Sequence, residues 1–325
     1  MLDTAGLIIL HGCIAALLVE ALLRIWRMQD PGERLALRWL ALVAPIVLPA
    51  AFRVLAPGRS TEWFGSARAL FAGEHWNQLT LFHTGTATLA TVALLILGGL
   101  LYLRDALPFL DDRVRGLGER DSVSGHSEIA RVRSLLDELQ QAVGAPAMGV
   151  VLLDRQTPVL LCSGVDRPTL VISTGTISRL SGDQLRAALT HELAHAARRD
   201  PLMGWLLMVV RTVAWFSPAA QVVARQVVQE LEYRADVTVA RLGHSAALSG
   251  AIEALSDAFD SQTDLVPPHS PRGFPSRLMA RAERVAVGNR CERVFAQPEP
   301  IRTGLGPLRF GLAAIGISAV LFFVV

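Results

Sequence analysis

Four apolar runs constrain this chain before any motif does: Gly6 to Trp26, Leu35 to Leu55, Thr84 to Leu103, and Leu308 to Val325. Each is close to the roughly 20 residues that an α-helix needs to cross the hydrocarbon core of a bilayer. Four transmembrane helices are therefore expected. With 51% of its 325 residues hydrophobic, the chain is too apolar for a wholly soluble enzyme, yet long enough for one modest soluble domain beside the spans.

The first run has no basic residue before it and no small-residue cleavage site after it, which favours a retained span over a signal peptide. It carries His11 and Glu20, readable as an intramembrane polar site or as polar groups that pack between helices and snorkel near their ends. Arginines set the orientation. Arg24, Arg27, Arg34 and Arg38 flank the first connection, and Arg104, Arg113, Arg115 and Arg120 follow the third run, so both segments are expected in the cytoplasm. The connection from Ala56 to His83 holds fewer arginines and the aromatics Trp63, Phe64, Phe71 and Trp76, which suits an external loop against the membrane interface. The expected localisation is thus a multi-pass protein of the inner (cytoplasmic) membrane with its N-terminus outside and the lipid bilayer as a partner.

These features divide the chain into residues 1–104 with three spans, a cytoplasmic segment 105–306, and a final span 307–325. The middle segment is the only one long enough for a soluble domain. Within it, SEIARVRSLLDELQQAVG has apolar residues at helical spacing and ends at Gly144. MGVVLLD, PVLLC and PTLVIST are short apolar runs separated by Pro, Gly and Asp, as strands are. The expected fold class is a mainly α integral membrane protein with a cytoplasmic α+β domain carrying a small sheet. Every basic residue is an arginine, with no lysine in the chain, and this reads as compositional bias rather than a nucleic-acid footprint; no direct nucleic-acid binding is expected. Cys13, Cys162 and Cys291 are far apart and lack paired spacing, so they read as reduced structural thiols.

Ser181-Gly182-Asp183-Gln184 has the form of a capping box, and the helical pattern it starts runs through THELAHAARRD to Pro201. On such a helix His191 and His195 are one turn apart on one face, as two imidazoles sharing one Zn²⁺ must be. Glu192 lies about 100° around, beside the open side of the ion, where it can take a proton from water that zinc has acidified. Five residues with three fixed positions are a moderate signal alone, because a catalytic zinc also needs a third protein ligand. QELEYRADVTVA supplies candidates: Glu232 and Asp236 are four apart and share a face. Glu232 completes a His₂Glu set, while Asp236 can accept the other ring N–H of a ligand histidine. Glu230 is the rival ligand, and the Asp236 partnership favours Glu232. Asp200, Arg198 and Arg199 read as a helix C-terminus complemented by positive charge.

Between the motifs, PLMGWLLMVVRTVAWFSPAAQVVARQVV is an apolar hairpin broken at Trp215-Phe216-Ser217-Pro218. Neither arm clearly reaches the length of a free span, so a helical pair beside the membrane or dipping into it fits better.

With these pieces placed, the chain resembles the membrane zinc metallopeptidases of the beta-lactam sensor-transducer class, the BlaR/MecR-like antirepressor peptidases. The resemblance rests on PVLLCSGVDRPTLVIS, HELAHAARRD, WFSP and ELEYRAD in that order. It implies a gluzincin-type zinc peptidase domain with ligands His191, His195 and Glu232, general base Glu192 and supporting Asp236. It also implies a protein or peptide substrate, such as a transcriptional repressor, added as an extended strand to an edge at Pro158 to Ser163 or Thr169 to Ser173. Tyr233, His244 and His269 are candidates for stabilising the oxyanion. The membrane heat-shock and prenyl-protein zinc proteases share HExxH and ExxAD, and broad quality-control proteolysis is the alternative they suggest. A non-catalytic zinc-stabilised scaffold is a further alternative, with His269 or Cys162 as a fourth ligand. The sensor-transducers carry an external penicillin-binding domain after the fourth span, whereas this sequence stops at Val325. A chain without lysine has no Ser-x-x-Lys acylation motif, so beta-lactam sensing by this chain itself is not expected. The last stretch, SQTDLVPPHSPRGFPSR, reads as a loop or linker.

Overall fold

The computed structural model describes residues 2–70, 80–81, 84–114, 126–164, 167–263 and 306–324. Phe71, Trp76, His83, Arg115, Arg120, His269, Cys291 and nearly all of SQTDLVPPHSPRGFPSR lie outside the described residues. The chain is mostly helical with a small mixed sheet, and contacts divide it into two compact units. One comprises Met1–Leu117, Leu206–Glu230 and Ile301–Val325; the other comprises Gly118–Trp205 and Leu231–Pro300.

The first unit opens with helices α1 (Leu2–Ile25) and α2 (Pro31–Leu55). Asp30 caps α2 by accepting from the Glu33 amide at 2.9 Å, and Pro31 occupies the first position, where its missing N–H costs nothing. A short helix, α3 (Glu62–Ala67), and a two-residue hairpin, β1 (Thr80–Leu81) with β2 (Thr84–Gly85), lead to α4 (Thr86–Val114). Among the described residues, two helices are long and apolar enough to span a bilayer, Ala5–Ile25 within α1 and Pro31–Leu55. The stretch Thr88–Arg104 of α4 and the final helix of the unit, Gly306–Phe322, are apolar but shorter.

His11 and Glu20 do not form one polar site. His11 is fully buried and its Nε2 pairs with the Val324 carbonyl at 3.0 Å, whereas Glu20 accepts from Arg38 of α2 at 2.7 Å. Nine positions along a helix turn a side chain about 180° from where it started, which separates the two groups.

The second unit is built on α5 (His126–Val143), which ends where Gly144 adopts φ +69°, the left-handed conformation that glycine reaches without strain. Strands β3 (Gly149–Leu153), β4 (Leu160–Ser163) and β5 (Thr169–Ser173) form a sheet in the order β3-β5-β4. β3 runs parallel to β5, and β4 antiparallel to it. Next come α6 (Thr174–Arg179), α7 (Gly182–Ala197), α8 (Asp200–Val213), α9 (Pro218–Arg241) and α10 (Ser245–Thr263), and then, in the first unit, α11 (Gly306–Phe322). On α5, Val132, Leu136 and Leu139 recur at helical spacing and pack with Leu170 and Ile172 of β5 and Leu185, Leu189 and Leu193 of α7 in one core. Burying such a leucine stabilises by roughly 1.5–3 kcal/mol. The core thus fixes the face of α7 opposite to these leucines for other work.

The expected apolar hairpin is present. α8 ends at Val213, and Ser217 and Pro218 restart the chain as α9. Its residues Leu206–Glu230 cluster with the helices of the first unit, although they fall inside the 105–306 segment of the sequence. Gln221 closes the turn, donating to the Ala214 carbonyl at 3.2 Å and accepting from Arg211 Nε at 2.7 Å.

Candidate metal centre

The capping box read from the sequence is formed. Ser181 Oγ accepts from the Gln184 amide at 3.3 Å, and Gln184 Oε1 accepts from the Ser181 amide at 2.9 Å. Two otherwise unpaired donors are satisfied at the start of α7. On this helix His191 is buried and His195 nearly so, with Glu192 half-buried between them.

The helix does not run to Pro201 as its pattern suggests. α7 stops at Ala197, Arg199 takes φ +56°, and a new helix starts at Asp200. That turn carries Asp200 back to His195: Oδ2 lies 2.8 Å from His195 Nδ1. The reading of Asp200 as simply part of a helix terminus is corrected by this contact. Asp200 is 6% exposed, a burial that a merely capping carboxylate does not need.

From α9, Asp236 Oδ1 stands 3.0 Å from His191 Nδ1. Each imidazole therefore has its Nδ1–H directed at a buried carboxylate, which leaves both Nε2 lone pairs facing inward. The two Nε2 atoms are 3.0 Å apart, Glu232 Oε2 is 3.4 Å from that of His191, and Glu232 Oε1 is 3.5 Å from that of His195. A tetrahedral ion with bonds of about 2.0–2.1 Å holds its ligand atoms about 3.3–3.4 Å apart. The triangle fits such an ion. His191, His195 and Glu232 are the group that can hold a metal among the described residues. Glu232 is the most open of the three, with its side chain 38% exposed.

Glu230, the rival ligand, is turned elsewhere: Arg34 Nη2 lies 2.8 Å and Arg38 Nε 3.3 Å from its Oε1. Cys162 is not in the metal-holding group either. Burial pushes its thiol up to about 12, and the negative charges of Glu192 and Asp200 add to the effect. Tyr233 follows Glu232 on α9, and His244 sits in the turn before α10. Of the two strands offered as a sheet edge, Thr169–Ser173 is excluded, because β5 is central and paired on both sides. Leu160–Ser163 is an edge, and β4 packs beside α7. Arg198 at the end of α7 donates to Thr238 Oγ1 of α9, joining the two helices that bear the candidate ligands.

Two histidines and a glutamate on paired helices, each histidine backed by a carboxylate, make up a candidate metal centre. The family model described as BlaR1 peptidase M56 matches residues 4–249, and the chain belongs to that family of membrane metallopeptidases. Regulatory protein BlaR1 of Bacillus licheniformis is 33% identical over 76 residues, covering 23% of this chain and 12% of that protein. Protease HtpX of Legionella pneumophila is 31% identical over 74 residues, covering 22% of this chain and 26% of that protein. A Protease HtpX homolog of Polynucleobacter necessarius is 33% identical over 72 residues, again 22% of this chain, and 25% of the relative. The matched segments are thus a minor part of each of these relatives.

Proposed function

We propose that this protein is a membrane-anchored zinc endopeptidase that hydrolyses a peptide bond in a cytoplasmic or membrane-proximal protein. The observation that carries this reading is the 3.0–3.5 Å triangle of donor atoms from His191, His195 and Glu232, which would hold the ion. When bound there, Zn²⁺ supplies Lewis acidity, polarising a carbonyl oxygen and acidifying water. Glu192 is the general base, adjacent to His191 on α7: it takes a proton from the attacking water and passes it to the leaving amine as the C–N bond breaks. Asp200 and Asp236 keep the imidazoles in the tautomer whose Nε2 lone pairs face inward. The β4 edge receives an extended stretch of substrate through main-chain hydrogen bonds, as strand addition requires.

Regulated proteolysis of a transcriptional repressor is the favoured role, supported by family membership and the match to Regulatory protein BlaR1. In this reading α4 and α11 join α1 and α2 as spans, the N-terminus is outside, and the metal centre works on the cytoplasmic side of the inner membrane. The arginine distribution supports that orientation. A protease of broad specificity is the second reading, favoured by a match to Protease HtpX nearly as long as that to BlaR1. Membrane and cytoplasmic proteins that accumulate in a deletion strain separate the two, one substrate against many.

The deciding experiment compares purified wild type with Glu192→Gln. Both are expected to contain zinc, and the variant to lose about 10²-fold or more in peptidase rate, the scale of a general base. Unchanged cleavage removes Glu192 from the mechanism, and zinc missing from both proteins removes the metal.

A further inference from the structure

The turn between α8 and α9 sits against the middle of two apolar helices. A Cβ added to Gly12 of α1 would meet Ser217 Oγ at 3.2 Å and Ala219 Cβ at 3.6 Å, and one added to Gly98 of α4 would strike the Phe216 backbone. The span Ala5–Ile25 has its centre at residue 15 and the apolar stretch Thr88–Arg104 at residue 96, three and two positions from these glycines. At about 1.5 Å per residue, the turn is level with both centres to within about 5 Å. A second contact fixes the course of α9. Gln226, nine residues after Ser217, donates from Nε2 to Glu20 Oε1 at 3.1 Å, and Glu20 is eight residues after Gly12. Nine and eight residues of helix are about 14 and 12 Å long, so this part of α9 runs beside α1, in the same direction, from mid-span to the Glu20 end. All of these groups belong to the first unit.

Backbone at such a depth has no water to bond, so a break in a helix there must find its partners within the protein. This break does. The Ser217 amide donates to the Ala214 carbonyl at 3.0 Å, and Ser217 Oγ accepts from the Ala220 amide at 3.4 Å. The fully buried Gln221 side chain adds a second bond to the Ala214 carbonyl, at 3.2 Å. Pro218 starts α9 and brings no amide hydrogen to satisfy. The nearby charge is turned inward too: Arg211 Nε donates to Gln221 Oε1 at 2.7 Å, and its guanidinium lies 5.8 Å from the centre of the Tyr102 ring. The outward side chains are of another kind. Met208, Val209, Val213, Trp215, Val222 and Val228 are each about half exposed, an apolar surface like that which Leu17 and Val47 give to α1 and α2.

We propose that residues 206–230 form a re-entrant membrane hairpin: it enters the bilayer from the side of Glu20 and Arg38, turns at Trp215 to Pro218 near mid-depth, and returns to the same side. Lipid acyl chains cover its outward face, continuous with those around α1 and α2. Length alone leaves a pair beside the membrane and one dipping into it alike; the register against Gly12, Gly98 and Glu20 selects the second. The inference rests on the reading of α1 as a span and is independent of the metal.

The test places a nitroxide at single cysteines of the purified full chain, with Cys13, Cys162 and Cys291 changed to Ser, in vesicles of phosphatidylethanolamine and phosphatidylglycerol. Leu17→Cys, Val213→Cys, Val222→Cys and Val228→Cys are compared by power saturation with oxygen and with a water-soluble nickel chelate, which together read depth. Val213 and Val222, on either side of the turn, are expected close to the depth of Leu17. Val228 is expected about 9 Å shallower than Val222, six residues further toward the Glu20 end. Equal shallow depths at Val213, Val222 and Val228, as a pair lying on the surface gives, or free access of the chelate to Val213 and Val222, overturn the proposal. Should Val222→Cys fail to fold, Met208→Cys beside Val213→Cys reads the gradient on α8, about 7 Å over five residues. If the chelate reaches Leu17, the reading of α1 as a span falls and the inference with it. Leu17 shielded beside accessible Val213 and Val222 sinks the inference alone.

Discussion

Asp200 Oδ2 lies 2.8 Å from Nδ1 of His195, five residues earlier and on the preceding helix. The contact exists because the chain turns through the left-handed conformation of Arg199 between them. It gives His195 the same carboxylate support that Asp236 gives His191 at 3.0 Å.

Replacing Asp200 by Ala removes the group that fixes the His195 tautomer. Zinc affinity is expected to fall about 10- to 100-fold, the usual effect of losing such a partner. Chelator competition reads this directly, and an affinity equal to wild type means that Asp200 does not orient His195.

Arg199 holds φ +56° on an exposed turn, a conformation that costs an L-residue with a Cβ roughly 1–2 kcal/mol. Arg199→Gly relieves that cost while giving some back as unfolded-state entropy. A net gain of about 0.5–1 kcal/mol is expected in denaturant unfolding, with zinc affinity unchanged. Destabilisation by Gly places the origin of the turn in the arginine side chain instead.

The Cys162 thiol, pushed up to about 12, stays protonated near neutral pH. The thiolate is the reactive form, so alkylation of metal-free protein is expected to be slow at pH 8 and to accelerate toward pH 11. A background with Cys13 and Cys291 changed to Ser isolates the signal. Burial is the first cause and the Glu192 charge a further one, so Glu192→Gln shifts the profile slightly to lower pH. Labelling of native protein as fast as that of denatured protein at pH 8 contradicts the burial of this thiol.

Gly98 on α4 lies so close to the Phe216 carbonyl that an added Cβ would clash with backbone, whereas a Cβ at Gly99 meets the Trp215 side chain at 3.2 Å. Backbone cannot give way as a side chain can. Gly98→Ala is expected to destabilise the detergent-solubilised protein by about 1–3 kcal/mol, the cost of overpacking, and Gly99→Ala by clearly less. Thermal unfolding of the two variants side by side checks the order, and equal effects mean that the hairpin is not held this closely.

Much of the candidate centre was legible because its parts are local. His191 with His195, and Glu232 with Asp236, are each four apart on a helix, and helical periodicity puts such pairs on one face whatever the rest of the chain does. The capping box and the strand segments are local signals too, carried by hydrogen-bonding side chains and short apolar runs. Asp200 was not legible, since its role depends on a left-handed residue that an arginine does not advertise. The sheet edge was equally hidden. Pairing order depends on contacts between distant segments, and only the order β3-β5-β4 makes Leu160–Ser163 an edge and Thr169–Ser173 the centre.

The sequence by itself determined the apolar helices and the two candidate metal-binding motifs, because hydropathy and helical spacing act within a few turns of chain. Only the tertiary structure decided which groups each carboxylate meets. Glu230 and Glu232 are two residues apart and chemically identical, yet one faces Arg34 and Arg38 while the other approaches His191 and His195. Two positions along a helix turn a side chain about 200°, so the two carboxylates meet different partners, and only contacts between distant segments decide which partners those are.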